Sequence, residues 1–120
     1  MSFLEIVKEL VTGLPGGIAA TIMGMDGLPI QQYAASGEYD VETVGVEYGK
    51  VIDEIKHAST LLNLGEVDEV MINTMGADVL LKMVTPEYYI AFVVNKSANI
   101  GKARYLIRKA SLKAGKELSS

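Results

Sequence analysis

Apolar positions along this chain follow two periods, which together predict three helices and five strands. Helical spacing marks a short opening helix from Ser2, a long central helix over residues 40–65 and a last helix after Ser97. Shorter apolar runs predict strands at 18–25, 28–35, 67–75, 79–84 and 88–94. The order α-β-β-α-β-β-β-α, with short strand connections, predicts an α+β fold. We expect a five-stranded antiparallel sheet with helices on both faces, forming one domain over residues 1–120.

Capping and turn residues refine these boundaries. Ser2 begins a capping box, Asp40 is a candidate N-cap for the central helix, and Ser97 is a candidate N-cap for the last helix. Asp26-Gly27 predicts a type I′ turn between the first two strands. Pro29 has no amide hydrogen, so we expect it at the start of a strand or on an edge of the sheet.

The central helix has an apolar face that we expect to pack in the core. At about 100° per residue this face falls within an arc of roughly 120°. Its members are Val41, Val44, Tyr48, Val51, Ile52, Ile55, Ala58 and Leu62. Gly45 and Gly49 lie on one flank of this face, although glycine costs about 1 kcal/mol relative to alanine within a helix. Either a second helix approaches closely at this bare flank, as in a dimer, or the first half of the helix is frayed.

Charge is divided unevenly along the chain. Up to Asn95 there are 14 acidic and 4 basic residues, and after it 1 acidic and 7 basic residues. The acidic remainder would repel phosphates, so we interpret the basic last helix as balancing charge within the chain and expect no nucleic-acid partner. The sequence has no cysteine, no signal-peptide pattern and no long apolar run. We therefore expect a cytoplasmic protein without membrane insertion.

No constellation of catalytic or cofactor-binding residues emerges. Gly16-Gly17 lacks the Gly-x-x-x-x-Gly-Lys-Ser/Thr spacing of a phosphate loop, so we interpret it as a structural turn. His57 is the sole histidine, and a metal would need several convergent ligands, so we interpret it as a solvated or partner-facing residue. We expect no metal, no cofactor and no enzymatic activity.

Three motifs carry a resemblance to a known family. They are the turn Leu14-Pro15-Gly16-Gly17-Ile18, the hairpin Met25-Asp26-Gly27-Leu28-Pro29-Ile30 and the helix start Asn99-Ile100-Gly101-Lys102-Ala103-Arg104. Together with the element order, these motifs resemble the roadblock/dynein light-chain family. The segment Ile107-Arg108-Lys109-Ala110-Ser111 is most similar to bacterial members, which include a gliding-motility protein that activates a Ras-like polarity GTPase.

The resemblance implies a homodimer or heterodimer whose middle strands join into one sheet and whose central helices lie side by side. The run 67–75 would otherwise be an exposed, β-prone edge, and such edges are normally paired, covered or charged. We expect a homodimer with an interface formed by Val70, Ile72, Thr74, Gly45 and Gly49.

The resemblance also implies a non-catalytic regulator or scaffold that binds a small Ras-like GTPase and stimulates its GTP hydrolysis. The alternative is a structural adaptor, similar to the light chains of motor complexes, without effect on nucleotide turnover. In either case we expect the partner to contact the exposed side of the central helix. The expected contact residues are Glu47, Lys50, Glu54 and His57.

Overall fold

The computed structural model describes residues 1–120 and contains eight elements in the expected order. They are α1 (Phe3–Thr12), β1 (Gly17–Gly24), β2 (Pro29–Ala34), α2 (Val41–Leu61), β3 (Glu69–Asn73), β4 (Asp78–Thr85), β5 (Tyr88–Val94) and α3 (Ile100–Ser119). All strand pairs are antiparallel, and the sheet order is β2-β1-β5-β4-β3. The predicted fold class is confirmed, with β2 and β3 as the two edges of the sheet.

The sheet separates two hydrophobic cores, because successive side chains of a strand point to opposite faces. On β5, Phe92 packs with α1 and α3, whereas Tyr89 and Ala91 pack with α2. Helices therefore cover both faces, as the sequence predicted. None of the helices combines the length and the apolar character that a membrane span needs.

Several local signals are confirmed. The Ser2 hydroxyl accepts the Glu5 amide at 3.1 Å, and the Glu5 carboxylate accepts the Ser2 amide at 3.1 Å, which completes the capping box. Pro29 opens β2 at an edge of the sheet, where its missing donor costs no hydrogen bond to a further strand. Asp40 caps α2 by accepting the Thr43 amide at 3.2 Å.

Two local interpretations were wrong. A type I′ turn needs positive φ at both Asp26 and Gly27, but only Gly27 has it, with φ at 87°. The Asp26 carboxylate instead accepts a backbone amide inside the turn. The N-cap of α3 is Asn99, not Ser97, because the Asn99 side chain accepts the Lys102 amide at 2.9 Å.

Candidate functional site

β3 is an edge strand whose outer side has no partner in the chain. Two hydrogen bonds show which residues of this strand bond to β4. The Asp68 carbonyl accepts the Met83 amide at 2.9 Å, and the Thr74 amide donates to the Ala77 carbonyl at 3.1 Å. In an antiparallel pair only every second residue bonds to the neighbouring strand. The even-numbered residues of this segment therefore bond to β4, and the odd-numbered residues direct their amides and carbonyls out of the sheet.

The open backbone groups belong to Glu69, Met71 and Asn73. Val70 and Ile72, which the sequence placed at a dimer interface, use their amides and carbonyls to bond β4. Their side chains are half-buried on the α2 side of the sheet. Thr74 lies beyond β3, and its hydroxyl donates to the Ala77 carbonyl at 2.7 Å. The expected pairing through the backbone groups of Val70, Ile72 and Thr74 is therefore wrong by one residue. The groups that are free to pair belong to Glu69, Met71 and Asn73.

Gly45 and Gly49 lie on the buried side of α2, against the sheet of their own chain. A Cβ atom at Gly45 would come within 2.8 Å of Met23 Cε, and one at Gly49 within 2.6 Å of the Tyr89 hydroxyl. That hydroxyl donates to the Gly45 carbonyl. The glycines therefore admit side chains of β1 and β5. Both sequence interpretations are corrected, since the bare flank faces the chain's own sheet and α2 is helical from Val41.

The apolar face predicted for α2 divides into two lines of residues. Val41 and Ile52 are buried on the sheet side together with the two glycines. The other apolar residues form a second line, here called the apolar stripe: Val44, Tyr48, Val51, Ile55, Ala58 and Leu62. Val44 and Tyr48 pack against the core, whereas Val51 is 40% exposed and Leu62 is 67% exposed. The stripe is therefore only in part the core surface that the sequence predicted.

The outer side of α2 carries four charged or ionisable residues, here called the charged face: Glu47, Lys50, Glu54 and His57. All four are exposed, as their expected role in binding a partner requires. Lys50 Nζ lies 3.2 Å from Glu47 Oε1, and because both side chains are exposed this pair is easily exchanged for contacts to a partner. The structure thus brings the four residues together on one surface.

Basic residues after Asn95 are engaged mainly with acidic residues of the same chain. The pairs are Arg104 and Arg108 with Glu69, Lys113 with Glu9, and Lys96 with Asp78. At Glu69, the guanidinium nitrogens Arg104 Nη2 and Arg108 Nε donate at 2.6 Å and 3.3 Å. Charge balance within the chain is therefore confirmed for four of the seven basic residues.

Solved structures with the same arrangement of elements come from bacteria and amoebae. A Roadblock/LC7 domain from Streptomyces avermitilis superposes with a TM-score of 0.88 at 13% identity, covering 98% of both chains. MglB from Myxococcus xanthus gives 0.88 at 12% identity, covering 98% of this chain and 94% of its own. This chain has the Roadblock/LC7 fold. No protein-family model and no curated protein matches the sequence.

Sequence similarity is higher to another protein with the Roadblock/LC7 fold, MglC from Myxococcus xanthus. It is 28% identical to this chain, and the match covers 98% of this chain and 99% of MglC, with a TM-score of 0.69. The three motifs that resembled the family lie at connections between elements of the fold. They join α1 to β1, connect β1 to β2 and open α3. The suspected resemblance is therefore confirmed.

A groove of about 810 Å³ lies between the end of α2 and the strands β3 and β4 of this Roadblock/LC7 fold. Lys56 Nζ donates to the Pro86 carbonyl at 2.7 Å, and Asp68 binds Lys82. The Thr60 hydroxyl donates to a backbone carbonyl. Three polar side chains of the groove thus have partners within the chain, and no three metal-binding side chains converge anywhere in the chain.

Proposed function

We propose that this chain is a non-catalytic regulator or scaffold that acts as a homodimer and binds a small Ras-like GTPase. The observation that carries the proposal is the open edge of β3 together with the exposed charged face of α2, on the fold of MglB and MglC. Unpaired amides and carbonyls at an edge recruit other chains. Asp68 and Glu69 place charge at only one end of β3, so Met71 to Asn73 is an uncharged pairing edge.

A second copy fits this edge best in one register. Antiparallel pairing centred on Met71 places Met71 against itself and Glu69 against Asn73, so every outward amide and carbonyl of β3 finds a partner. On the α2 side of the sheet, Val70 then meets Ile72 of the second copy as an apolar pair. Moving the two-fold axis to Val70 or Ile72 would place Glu69 opposite a methionine and leave outward groups unpaired.

The dimer is tested by a proline at Met71, which removes an outward amide without breaking a bond to β4. Met71→Pro should weaken the β3 contact by at least tenfold in dissociation constant, whereas Met71→Thr keeps the amide and should change it little. Sedimentation across a dilution series measures the change. An unaltered β3 contact in Met71→Pro would refute this interface.

The GTPase partner follows from the resemblance of the sequence motifs together with the surface of α2. In the β3-paired dimer, the two charged faces lie on the same side of the joined sheet and present alternating charges along each helix. Such a surface can hold and orient a charged partner. Hydrolysis would use the GTPase's own residues, because Arg104 and Arg108 of this chain are held by Glu69 on the opposite side of the sheet.

Capture from the native cell, followed by a turnover assay, tests this function. We expect the chain to retain a small GTPase and to accelerate its GTP hydrolysis; retention without acceleration would favour the adaptor alternative. Glu54→Lys should weaken binding, whereas Glu38→Lys makes the same charge change in the exposed loop before α2, outside the charged face, and should not. If no GTPase is retained, or if both variants bind as well as the wild type, the proposed partner surface is wrong.

A further inference from the structure

Three lysines of α3 have no acidic partner in the chain. Lys102, Lys109 and Lys116 are exposed and lie seven residues apart, and none of them forms an ion pair, whereas the other three basic residues of α3 do. Seven residues bring a helical side chain back to within about 20° of the same direction, so the three ammonium groups form a line of about 21 Å along the helix. This line is a cationic surface that the chain itself leaves open.

Two exposed apolar side chains lie between these lysines. Tyr105 is 59% exposed and Leu112 is 69% exposed. At about 100° per residue, they share with the lysines an arc of roughly 80° that points away from the buried side of α3. Lys109 Nζ lies 5.3 Å from the centroid of the Tyr105 ring, so ammonium and ring are presented together. The five residues, Lys102, Tyr105, Lys109, Leu112 and Lys116, are here called the α3 strip.

Helices on the two sides of the sheet differ in charge. Together α1 and α3 carry seven basic and three acidic residues, whereas α2 carries two basic and four acidic residues. The three acidic residues of α1 and α3 are engaged: Glu5 in the capping box, Glu9 with Lys113, and Glu117 with the N-terminal amine. Acidic residues on the opposite surface act weakly at the strip, because even the shortest dimension of the chain, 24 Å, is about three Debye lengths at physiological ionic strength.

We propose that the α3 strip binds the surface of an anionic lipid bilayer, with α3 lying along that surface. Its ammonium groups would contact anionic headgroups, while Tyr105 and Leu112 enter between them, as in helices that lie in the plane of a membrane. Each lysine near such a surface should strengthen binding about fivefold, so the three together provide about a hundredfold. In the dimer proposed above, both strips lie on the side of the joined sheet opposite α2, so they would bind one bilayer together.

A bilayer fits the strip better than a nucleic acid does. Guanidinium groups, whose planar fork suits recognition of phosphates, are withdrawn from this surface because Arg104 and Arg108 bind Glu69. Sites for single-stranded nucleic acids also need aromatic rings that stack on bases, but Tyr105 lies under an ammonium group. Leu112 contributes nothing to phosphate binding, whereas a bilayer can bury its apolar area.

Sedimentation with vesicles tests the proposal, using phosphatidylcholine alone and phosphatidylcholine mixed with phosphatidylserine. Wild type should bind only the mixed vesicles, and less at high salt. Lys109→Glu should weaken this binding at least tenfold, whereas Lys50→Glu makes the same charge change on α2, across the sheet, and should not. Leu112→Ser should weaken it about threefold without a change of charge. Circular dichroism checks that each variant is folded.

The outcomes separate the strip from other occupants and from the β3 dimer. No binding to mixed vesicles, or equal binding of Lys109→Glu and Lys50→Glu, would overturn the proposal. So would retention by duplex DNA or polyglutamate that is as tight as by mixed vesicles and insensitive to Leu112→Ser, which would indicate a nucleic acid or an acidic protein. Met71→Pro should bind mixed vesicles more weakly, because each particle then has one strip. If Met71→Pro binds like the wild type while Lys109→Glu does not, the strip stands without the β3 dimer.

Discussion

Tyr89 sets how closely α2 lies on the sheet. Its side chain is fully buried and points from β5 to the helix, where the hydroxyl donates to the Gly45 carbonyl. Gly49 leaves room for the ring end, since any side chain there would meet the hydroxyl. One tyrosine and two glycines thus form a single packing unit, and its parts come from segments distant in sequence.

Alanine should lower the free energy of unfolding at Gly49 but raise it at Gly115, because the two glycines have different surroundings. Gly49→Ala gains helix propensity but should lower the free energy of unfolding by about 1–3 kcal/mol, because its Cβ would lie 2.6 Å from the hydroxyl of a rigid, hydrogen-bonded ring. Gly115→Ala in α3 meets only an ordinary contact at 3.7 Å and should raise it by roughly 0.5–1 kcal/mol. Chemical denaturation measures both, and a stabilised Gly49→Ala would contradict the assigned packing.

Alkaline pH should destabilise the packing of Tyr89 against Gly45 and Gly49 by removing the proton of the tyrosine hydroxyl. Burial raises the pKa of the Tyr89 hydroxyl from 10.0 to about 12, and the charge of Asp53 adds to the rise. The unfolded chain therefore loses this proton first as the pH increases above 10.0, and the wild type should lose up to roughly 3 kcal/mol of unfolding free energy by about pH 12. Tyr89→Phe lacks the group, so its stability should approach that of the wild type over this range. A constant difference between the two proteins would show that the hydroxyl does not titrate as described.

Residue-scale features were predictable where their cause is local. The Ser2 capping box and the edge position of Pro29 depend on neighbouring backbone groups, and the sequence predicted both correctly. The roles of Gly45 and Gly49 were not predictable, because the sequence shows that a helix flank is bare without showing which atoms use the space. Those atoms belong to Met23 and Tyr89 on other elements.

At the scale of elements, Glu69 joins the edge strand β3 to helix α3. Hydrogen bonds from Arg108 and Arg104 outweigh the effect of burial, which by itself would raise the pKa of Glu69, and hold that pKa below its ordinary value of 4.5. The carboxylate is therefore a stabilising group above about pH 4.5, and this contribution is lost as the pH falls through the lowered pKa.

Removing the charge of Glu69 should loosen this connection. Glu69→Gln keeps the shape of the side chain but loses its charge-assisted hydrogen bonds to Arg104 and Arg108. We expect the free energy of unfolding to fall by about 1 kcal/mol at neutral pH, a modest amount because both arginines are exposed to solvent. The difference from the wild type should shrink below pH 4.5. Glu66→Gln, an exposed position before β3, is the control and should be neutral. Equal stability of Glu69→Gln and the wild type would mean that the ion pairs contribute nothing.

The order and type of all eight elements were predictable because apolar periodicity reflects burial directly. The bounds of β3 and the residues that bond β4 were not predictable, because an apolar run shows neither where a strand ends nor which of its residues bond to the neighbouring strand. β3 is shorter than the run 67–75, and its outward groups are those of Met71 and its alternate neighbours. The same limit applies to the stripe, because an apolar helix face looks alike whether it meets the core or another chain.

For the whole molecule, the placement of charge separates the two sides of the sheet. Three of the six basic residues of α3 pair with Glu9 or Glu69 on the other side of the sheet, whereas the charged face of α2 remains open. Pairing through β3 would bring the apolar stripes of two α2 helices together beside the two-fold axis, with both charged faces directed away from the sheet. In the proposed dimer, assembly and partner binding would therefore both use α2.

This coupling predicts that GTPase binding needs two copies joined at β3. A GTPase docked over the axis contacts both charged faces and covers the place where a second would bind, so titration calorimetry should give one GTPase for two chains. Met71→Pro should bind at least tenfold more weakly although its charged face is unchanged, because each half-site loses its neighbour. Glu54→Lys should bind weakly although it remains paired through β3. Binding of one GTPase per chain, with equal affinity in Met71→Pro and the wild type, would place the whole site within a single copy.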